Sequence, residues 1–410
     1  GVSPTFNLLT SVMDDMRPEN KYLHLMDEQE AITKAQALLN RPGDANVSPL
    51  AVYRRAAKAD SVQQRRPNVV LIMMESMSAE FMKHFGQSET LTPFLDSLYT
   101  RSISFRNFYS AGIHTNHGLY ATLYSFPAMM KRNLMKGSVI PRYSGLPTVL
   151  KENGYYNLFF MTHEGQYDNM NAFFRTNGYD EVFSQEDYPA DKVVNSFGVQ
   201  DDFLYDYAIP VLNQRAATGQ PFFATLLSIS NHPPYVIPPF FHPKTSEPET
   251  QIVEYADWAL RQFFEEARKQ PWFDNTIFVL EGDHGKLVGD AECELPESYN
   301  HIPLMIYSSR IQPEEKTTFG GQVDIQPTIL GLLNIDYLQN NFGVDLLKEE
   351  RPCMFYTADN MVVGRNDTLL YLYNYETQQE LTYDIGNGKL NAVPMDDRFL
   401  PLKEYSFSML

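Results

Sequence analysis

Pro67-Asn68-Val69-Val70-Leu71-Ile72-Met73-Met74-Glu75-Ser76 is a continuous apolar run that ends on a carboxylate. Residues 69–74 show no polar alternation. Such a run predicts a strand buried on both faces, as in a parallel sheet covered by helices. Downstream the pattern keeps alternating. Helices are expected over 93–99, 118–124, 146–153 (with Gly154 as C-cap), 252–269 and 325–333. Strands are expected over 103–109, 157–161, 222–229, 276–280 and 302–307. Strands separated by helices of this length indicate an α/β fold with a mostly parallel sheet and helices on both faces.

Upstream of Pro67 the reading changes. Residues 20–40 carry Leu23, Met26, Ile32, Ala35, Leu38 and Leu39 near helical spacing, and Arg41-Pro42-Gly43-Asp44 breaks the pattern. A second short helix is expected over 50–58. Past the helix 325–333 the chain becomes strand-rich at 361–363, 369–373 and 381–383. The predicted organisation is a helical arm or linker over 1–66, a catalytic α/β domain over 67–350, and a small β-rich subdomain over 351–410 packed on it.

Composition narrows the partners. With 410 residues, 43% of them hydrophobic, the chain can bury a large core. A formal charge of −18 argues against nucleic acid as partner, since a phosphate backbone calls for a basic face. It equally disfavours broad adhesion to anionic lipid. No apolar run approaches the ~18 residues of a membrane span. The chain opens on Gly1 rather than Met, which reads as a processed or trimmed start. Its two cysteines, Cys293 and Cys353, are compatible with free thiols or with one disulfide in an exported protein.

The chemistry is expected at the carboxyl ends of the strands, where open α/β sheets gather ligands. Glu75 follows the strand 69–74. Asp283 and His284 follow the strand 276–280, in Leu280-Glu281-Gly282-Asp283-His284-Gly285. Three metal-ligating side chains from distant positions thus emerge on one edge, with Gly285 permitting a tight turn after the pair. Thr115 precedes the helix 118–124 in Ala111-Gly112-Ile113-His114-Thr115-Asn116-His117-Gly118. There it reads either as an N-cap or as a nucleophile acidified by a metal and by the helix dipole. His163 and His232 also fall just past strands, whereas His301 precedes one and is expected at the opposite edge unless its loop folds back.

These stretches resemble the alkaline phosphatase and sulfatase superfamily. The resemblance rests on residues 67–76, on Leu91-Thr92-Pro93-Phe94-Leu95-Asp96-Ser97-Leu98 with Phe105-Arg106-Asn107-Phe108-Tyr109-Ser110, and on Val323-Asp324-Ile325-Gln326-Pro327-Thr328-Ile329-Leu330. It covers roughly residues 67–347. Glu75 and Thr115 look like the lipoteichoic acid synthase and phosphoglycerol transferase group. That resemblance implies one divalent ion, Mn²⁺ or else Mg²⁺ or Zn²⁺, held by Glu75, Thr115, Asp283 and His284, with Thr115 as nucleophile. It implies His163, Arg175 (in Phe173-Phe174-Arg175) and His232 as contacts for a phospholipid headgroup, phosphoglycerol or phosphoethanolamine. It further implies a glycan or lipid hydroxyl as acceptor, and a catalytic domain on the extracytoplasmic face of a membrane, anchored by a segment outside this sequence.

The rival readings are a phosphodiesterase or phosphatase that uses water, a sulfatase, and a non-catalytic binding domain. A sulfatase needs Cys or Ser in a Cys/Ser-x-Pro-x-Arg setting. This chain has Thr115-Asn116-His117-Gly118-Leu119, from which no formylglycine can be made.

Overall fold

Eight strands form the central sheet of the computed structural model, which describes residues 24–48, 51–54, 66–129, 132–137, 139–339 and 343–410. From edge to edge they run Glu314–Gly321, Ile103–Tyr109, Leu304–Tyr307, Thr276–Gly282, Asn68–Met74, Phe222–Leu227, Tyr156–Phe160 and Glu181–Phe183. All point the same way except Leu304–Tyr307, which is antiparallel to both neighbours. This is the mostly parallel sheet of the α/β fold expected from the sequence.

Asn68–Met74 lies inside the sheet and every residue of it is buried. Its side chains alternate between two cores. Val69, Leu71 and Met73 join a layer with Leu119, Leu123, Phe173 and Ile325. Val70, Ile72 and Met74 join Phe94, Leu204, Leu260 and Phe264 on the other side. Burial on both faces is why this strand lacks alternation. The helices Thr115–Tyr124 and Ile325–Leu332 thus cover one face, and Pro93–Tyr99, Asp201–Ala217 and Pro248–Ala267 the other.

Several expectations need correction. Over the described part of 50–58 the chain is not helical: Ala51–Arg54 is a strand, paired antiparallel with Ala45–Ser48 and with the distant Tyr337–Gln339. Residues 49–50 and 55–58 lie outside the described residues, as do 20–23 of the first arm helix, which spans Glu28–Leu39. A far partner converted a weakly helical segment into sheet. His301 is also displaced from its expected edge. Because Leu304–Tyr307 runs backwards, the connection from Asp283 returns along the same sheet edge, and His301 bridges to Tyr109 there.

The helix at Thr115 starts three residues earlier than expected. The helices Asp201–Ala217 and Leu400–Met409 were not read from the pattern at all. The first contains Pro210 and carries apolar residues without a clean stripe, and the second is short. Beyond residue 350, five antiparallel strands (Met354–Ala358, Met361–Arg365, Leu369–Asn374, Gln379–Gly386, Lys389–Ala392) form a second sheet. It is tied to the main sheet through Thr357, whose amide donates to the Ala111 carbonyl. Cys293 and Cys353 are both free.

Candidate active site

Strand register builds the site. Asn68–Met74 and Thr276–Gly282 are neighbours, with Met74 opposite Gly282, so Glu75 and Asp283 leave the sheet side by side. The Asp283 amide continues the ladder by donating to the Met74 carbonyl at 3.0 Å. On the other flank Ser228, one residue past Phe222–Leu227, accepts from the Glu75 amide through its hydroxyl at 2.9 Å. The backbone then turns sharply at Ser76, whose φ of 50° lies in the left-handed region. That strain is held by two bonds. The Ser76 amide donates to Asp283 Oδ1 at 2.9 Å and its hydroxyl to Glu75 Oε1 at 2.6 Å.

Ligating atoms of Glu75, Asp283 and His284 lie within 4.8 Å of one another. Asp283 Oδ1 accepts from the amides of Ser76 and His284, while Oδ2 is buried and has no hydrogen-bond partner among the described residues. An orphaned buried carboxylate oxygen beside a second buried carboxylate and an imidazole is the donor set that a divalent cation satisfies. Burial and the adjacent Glu75 push the Asp283 carboxyl above the ordinary carboxylate range. Burial opposes charge on His284, but Asp283 and Glu75 outweigh it and hold its pKa above 6.5. His284 Nδ1 donates to the Gly285 carbonyl at 2.7 Å, which leaves Nε2 available to a ligand, 3.5 Å from Glu75 Oε1. Gly285 earns its place by close approach rather than by an unusual φ: a Cβ there would stand 2.0 Å from the Ser298 carbonyl oxygen.

Thr115 is the first residue of its helix, and the N-cap is His114, whose side chain makes no capping bond. The Thr115 hydroxyl donates to Glu75 Oε2 at 3.3 Å. It serves the carboxylate cluster instead of its own helix terminus.

His163 and His232 repeat the device seen at His284. Each uses Nδ1 to hold the carbonyl of the next residue, Glu164 at 3.1 Å and Pro233 at 2.6 Å, which leaves Nε2 uncommitted. Their rings are bracketed by aromatics, with Tyr167 4.6 Å from His163 and Phe197 4.1 Å from His232, centroid to centroid. Tyr167 and Phe197 meet edge-on at 6.3 Å, so ring contacts link the two histidines in one aromatic series. Burial lowers the pKa of His163, while Glu75 is among the charges opposing that shift. Arg175 is exposed, and its guanidinium donates to Asn171 Oδ1 at 2.6 Å and to the Val182 carbonyl at 3.3 Å, on the outermost strand. A cavity of about 420 Å³ lined by Arg101, Lys244, Trp258 and Arg268 lies elsewhere and contains none of these residues.

Residues 67–335, well over half of the chain, match the sulfatase family model. The chain belongs to the sulfatase family. Among curated relatives, lipoteichoic acid synthase 1 of Bacillus subtilis is 25% identical over 354 residues, covering 79% of this chain and 54% of that protein. The chain spans about half the length of the curated relatives it matches. A crystal structure of an alkaline phosphatase superfamily protein from Vibrio parahaemolyticus superposes with a TM-score of 0.84 at 26% identity, covering 95% of this chain and 96% of that one. A lipoteichoic acid synthase from Listeria monocytogenes gives 0.73 at 20% identity, covering 84% and 91%.

Four neighbours of the cluster were not singled out in the sequence: Ser76, Ser228, Asn231 and Lys286. Three of them flank a named candidate within two positions, so adjacency to Glu75, His232 and His284 was the available signal. Ser228 carried none, because its contact depends on the neighbouring strand.

Proposed function

We propose that this chain is the catalytic part of a metal-dependent transferase that moves a phosphoglycerol or phosphoethanolamine headgroup from a phospholipid to a hydroxyl acceptor. The observation that carries this reading is the Thr115 hydroxyl at a helix N-terminus, 3.3 Å from Glu75 Oε2, beside a buried Asp283 oxygen that lacks a hydrogen-bond partner among the described residues. The likeness to lipoteichoic acid synthases supports the choice of substrate.

Glu75, Asp283 and His284, joined by Thr115, would hold one divalent ion: Mn²⁺ from the family resemblance, Mg²⁺ or Zn²⁺ as alternatives for the same donors. When bound, it would acidify the Thr115 hydroxyl and draw charge from a phosphoryl oxygen. The hydroxyl proton already faces Glu75 Oε2, so its removal begins along an existing hydrogen bond. Thr115 Oγ1 forms a bond to phosphorus while the bond from phosphorus to the diacylglycerol oxygen breaks, and the proton given up by Thr115 to Glu75 is returned to that oxygen, which leaves as the free alcohol. The helix N-terminus favours the added negative charge. A second hydroxyl then attacks phosphorus, releases the transferred headgroup and restores the Thr115 hydroxyl. His163 and His232 hold the headgroup through Nε2 between Tyr167 and Phe197. With water as acceptor the same residues make a phosphodiesterase.

The domain is assigned to the extracytoplasmic face of a membrane. Among the described residues no helix is long and apolar enough to cross one. The test is to mix the protein with Mn²⁺ and phosphatidylglycerol, quench, and examine Thr115 by mass spectrometry. A phosphoglyceryl adduct on Thr115, with diacylglycerol released, is expected. Turnover with the adduct on another residue, or turnover with no adduct on Thr115, rejects the mechanism.

A further inference from the structure

Lys286, two residues past His284, was assigned no role by motif or resemblance. Its backbone is pinned beside the cluster: the amide donates to Ser78 Oγ at 2.8 Å, and the single proton of that hydroxyl is shared between the carbonyls of Lys286 and Ser298. The side chain is half-buried and runs over Phe81 and Tyr235, with Nζ 5.4 Å and 4.7 Å from the ring centroids. Among the described residues the ammonium makes two side-chain hydrogen bonds, to Asn231 Oδ1 at 2.5 Å and to Tyr235 OH at 3.0 Å. Both acceptors are neutral.

This arrangement is costly for a purely structural lysine. A cation withdrawn from water is normally matched by a carboxylate in contact, because neutral dipoles recover only part of the lost solvation. An ammonium has three N–H groups, and two are used. The partners also lead directly to the cluster: Asn231 Nδ2 donates to the Ser76 carbonyl at 3.2 Å, and Ser76 bonds both Glu75 and Asp283. The phenol that accepts from Lys286 keeps its own proton available to a ligand oxygen. Arg175, the other cation considered for substrate, is engaged at the sheet's outer edge.

We propose that Lys286 is a substrate contact that binds an oxygen of the tetrahedral phosphoryl group held at Thr115, with Asn231 and Tyr235 as its positioning partners. The inference rests on the phosphoryl-transfer reading of the site, but it is read out by anion binding rather than by turnover. Failure of phosphatidylglycerol cleavage therefore overturns the function without deciding the role of Lys286, and the converse also holds.

The experiment is calorimetric titration of the Mn²⁺-loaded protein with inorganic phosphate and with glycerol 1-phosphate, and with sulfate as a second arm. Lys286→Met is expected to weaken both phosphate ligands roughly 10–100-fold, the loss of one charge-assisted hydrogen bond, with Mn²⁺ affinity and melting temperature unchanged. Lys286→Arg is expected to recover part of the loss. A Lys286→Met protein that melts like wild type and binds phosphate within about twofold of it overturns the proposal. So does a wild-type protein that binds sulfate but not phosphate. Should Lys286→Met fail to fold, acetylation footprinting on the wild-type protein decides. Phosphate should slow modification of Lys286 and of no other lysine, and an unprotected Lys286 overturns the assignment.

Discussion

The Thr115 hydroxyl donates to Glu75 Oε2 at 3.3 Å, across 40 positions of sequence, and not to an amide of its own helix. A threonine at a helix start usually caps, and losing a cap costs about 1 kcal/mol. Thr115 has given up that local role for a contact with a buried carboxylate.

Thr115→Ala should accordingly leave the melting temperature nearly unchanged while reducing turnover of phosphatidylglycerol to background. Mn²⁺ should still bind through Glu75, Asp283 and His284, within about tenfold of wild type, by calorimetry. A large loss of stability with activity retained would return Thr115 to the capping role.

Gly118→Ala tests how closely the helix approaches the site. In an ordinary helix interior this change stabilises by about 1 kcal/mol. Here a Cβ would stand 2.3 Å from the Asp283 carbonyl oxygen, a backbone atom that cannot swing aside. The sign should reverse, with destabilisation of about 1–3 kcal/mol and weaker Mn²⁺ binding as helix and loop separate. Denaturant melts and a metal titration check it. A stabilised variant with full metal affinity contradicts this packing.

His163→Ala and His232→Ala should each lower kcat/KM for phosphatidylglycerol about 10–100-fold with the metal in place, because polar partners of the headgroup are lost. Arg175→Ala should change it by less than about threefold, since that guanidinium serves Asn171 and the Val182 carbonyl. An aryl sulfate should not be turned over. Sulfate release without phosphodiester cleavage would overturn the transferase reading.

His301 makes stability depend on pH. Its Nδ1 lies 2.6 Å from Glu80 Oε1 and its Nε2 donates to the Arg106 carbonyl at 2.8 Å. Burial opposes the charged ring, but Glu80, Glu297 and that carbonyl outweigh it, and the pKa is pushed up to about 9. A histidine raised above its unfolded value of ~6.5 adds stability that is complete below that pH and lost as pH climbs through the folded value. The loss is on the order of 1–3 kcal/mol between about pH 6 and 9.5. Urea melts at both pH values, on wild type and His301→Gln, measure it. Equal pH slopes for the two proteins would remove His301 as the cause.

How much of this was legible beforehand follows from what local sequence encodes. The apolar run 69–74 determined a strand covered on both faces. The positions of Glu75, Asp283 and His284 just past strands determined which edge carries the chemistry, because a strand's direction fixes where its next residue emerges. Tertiary pairing decided the rest. Only the register of Met74 with Gly282 makes Glu75 and Asp283 neighbours. Only the reversal of Leu304–Tyr307 brings His301 to that edge, and only the distant Tyr337–Gln339 holds Ala51–Arg54 as a strand. The partner of Thr115 and the cradle around Lys286 belong to the same class. Each depends on residues tens to hundreds of positions away, and side-chain spacing along one segment carries no information about which distant segment will pack against it.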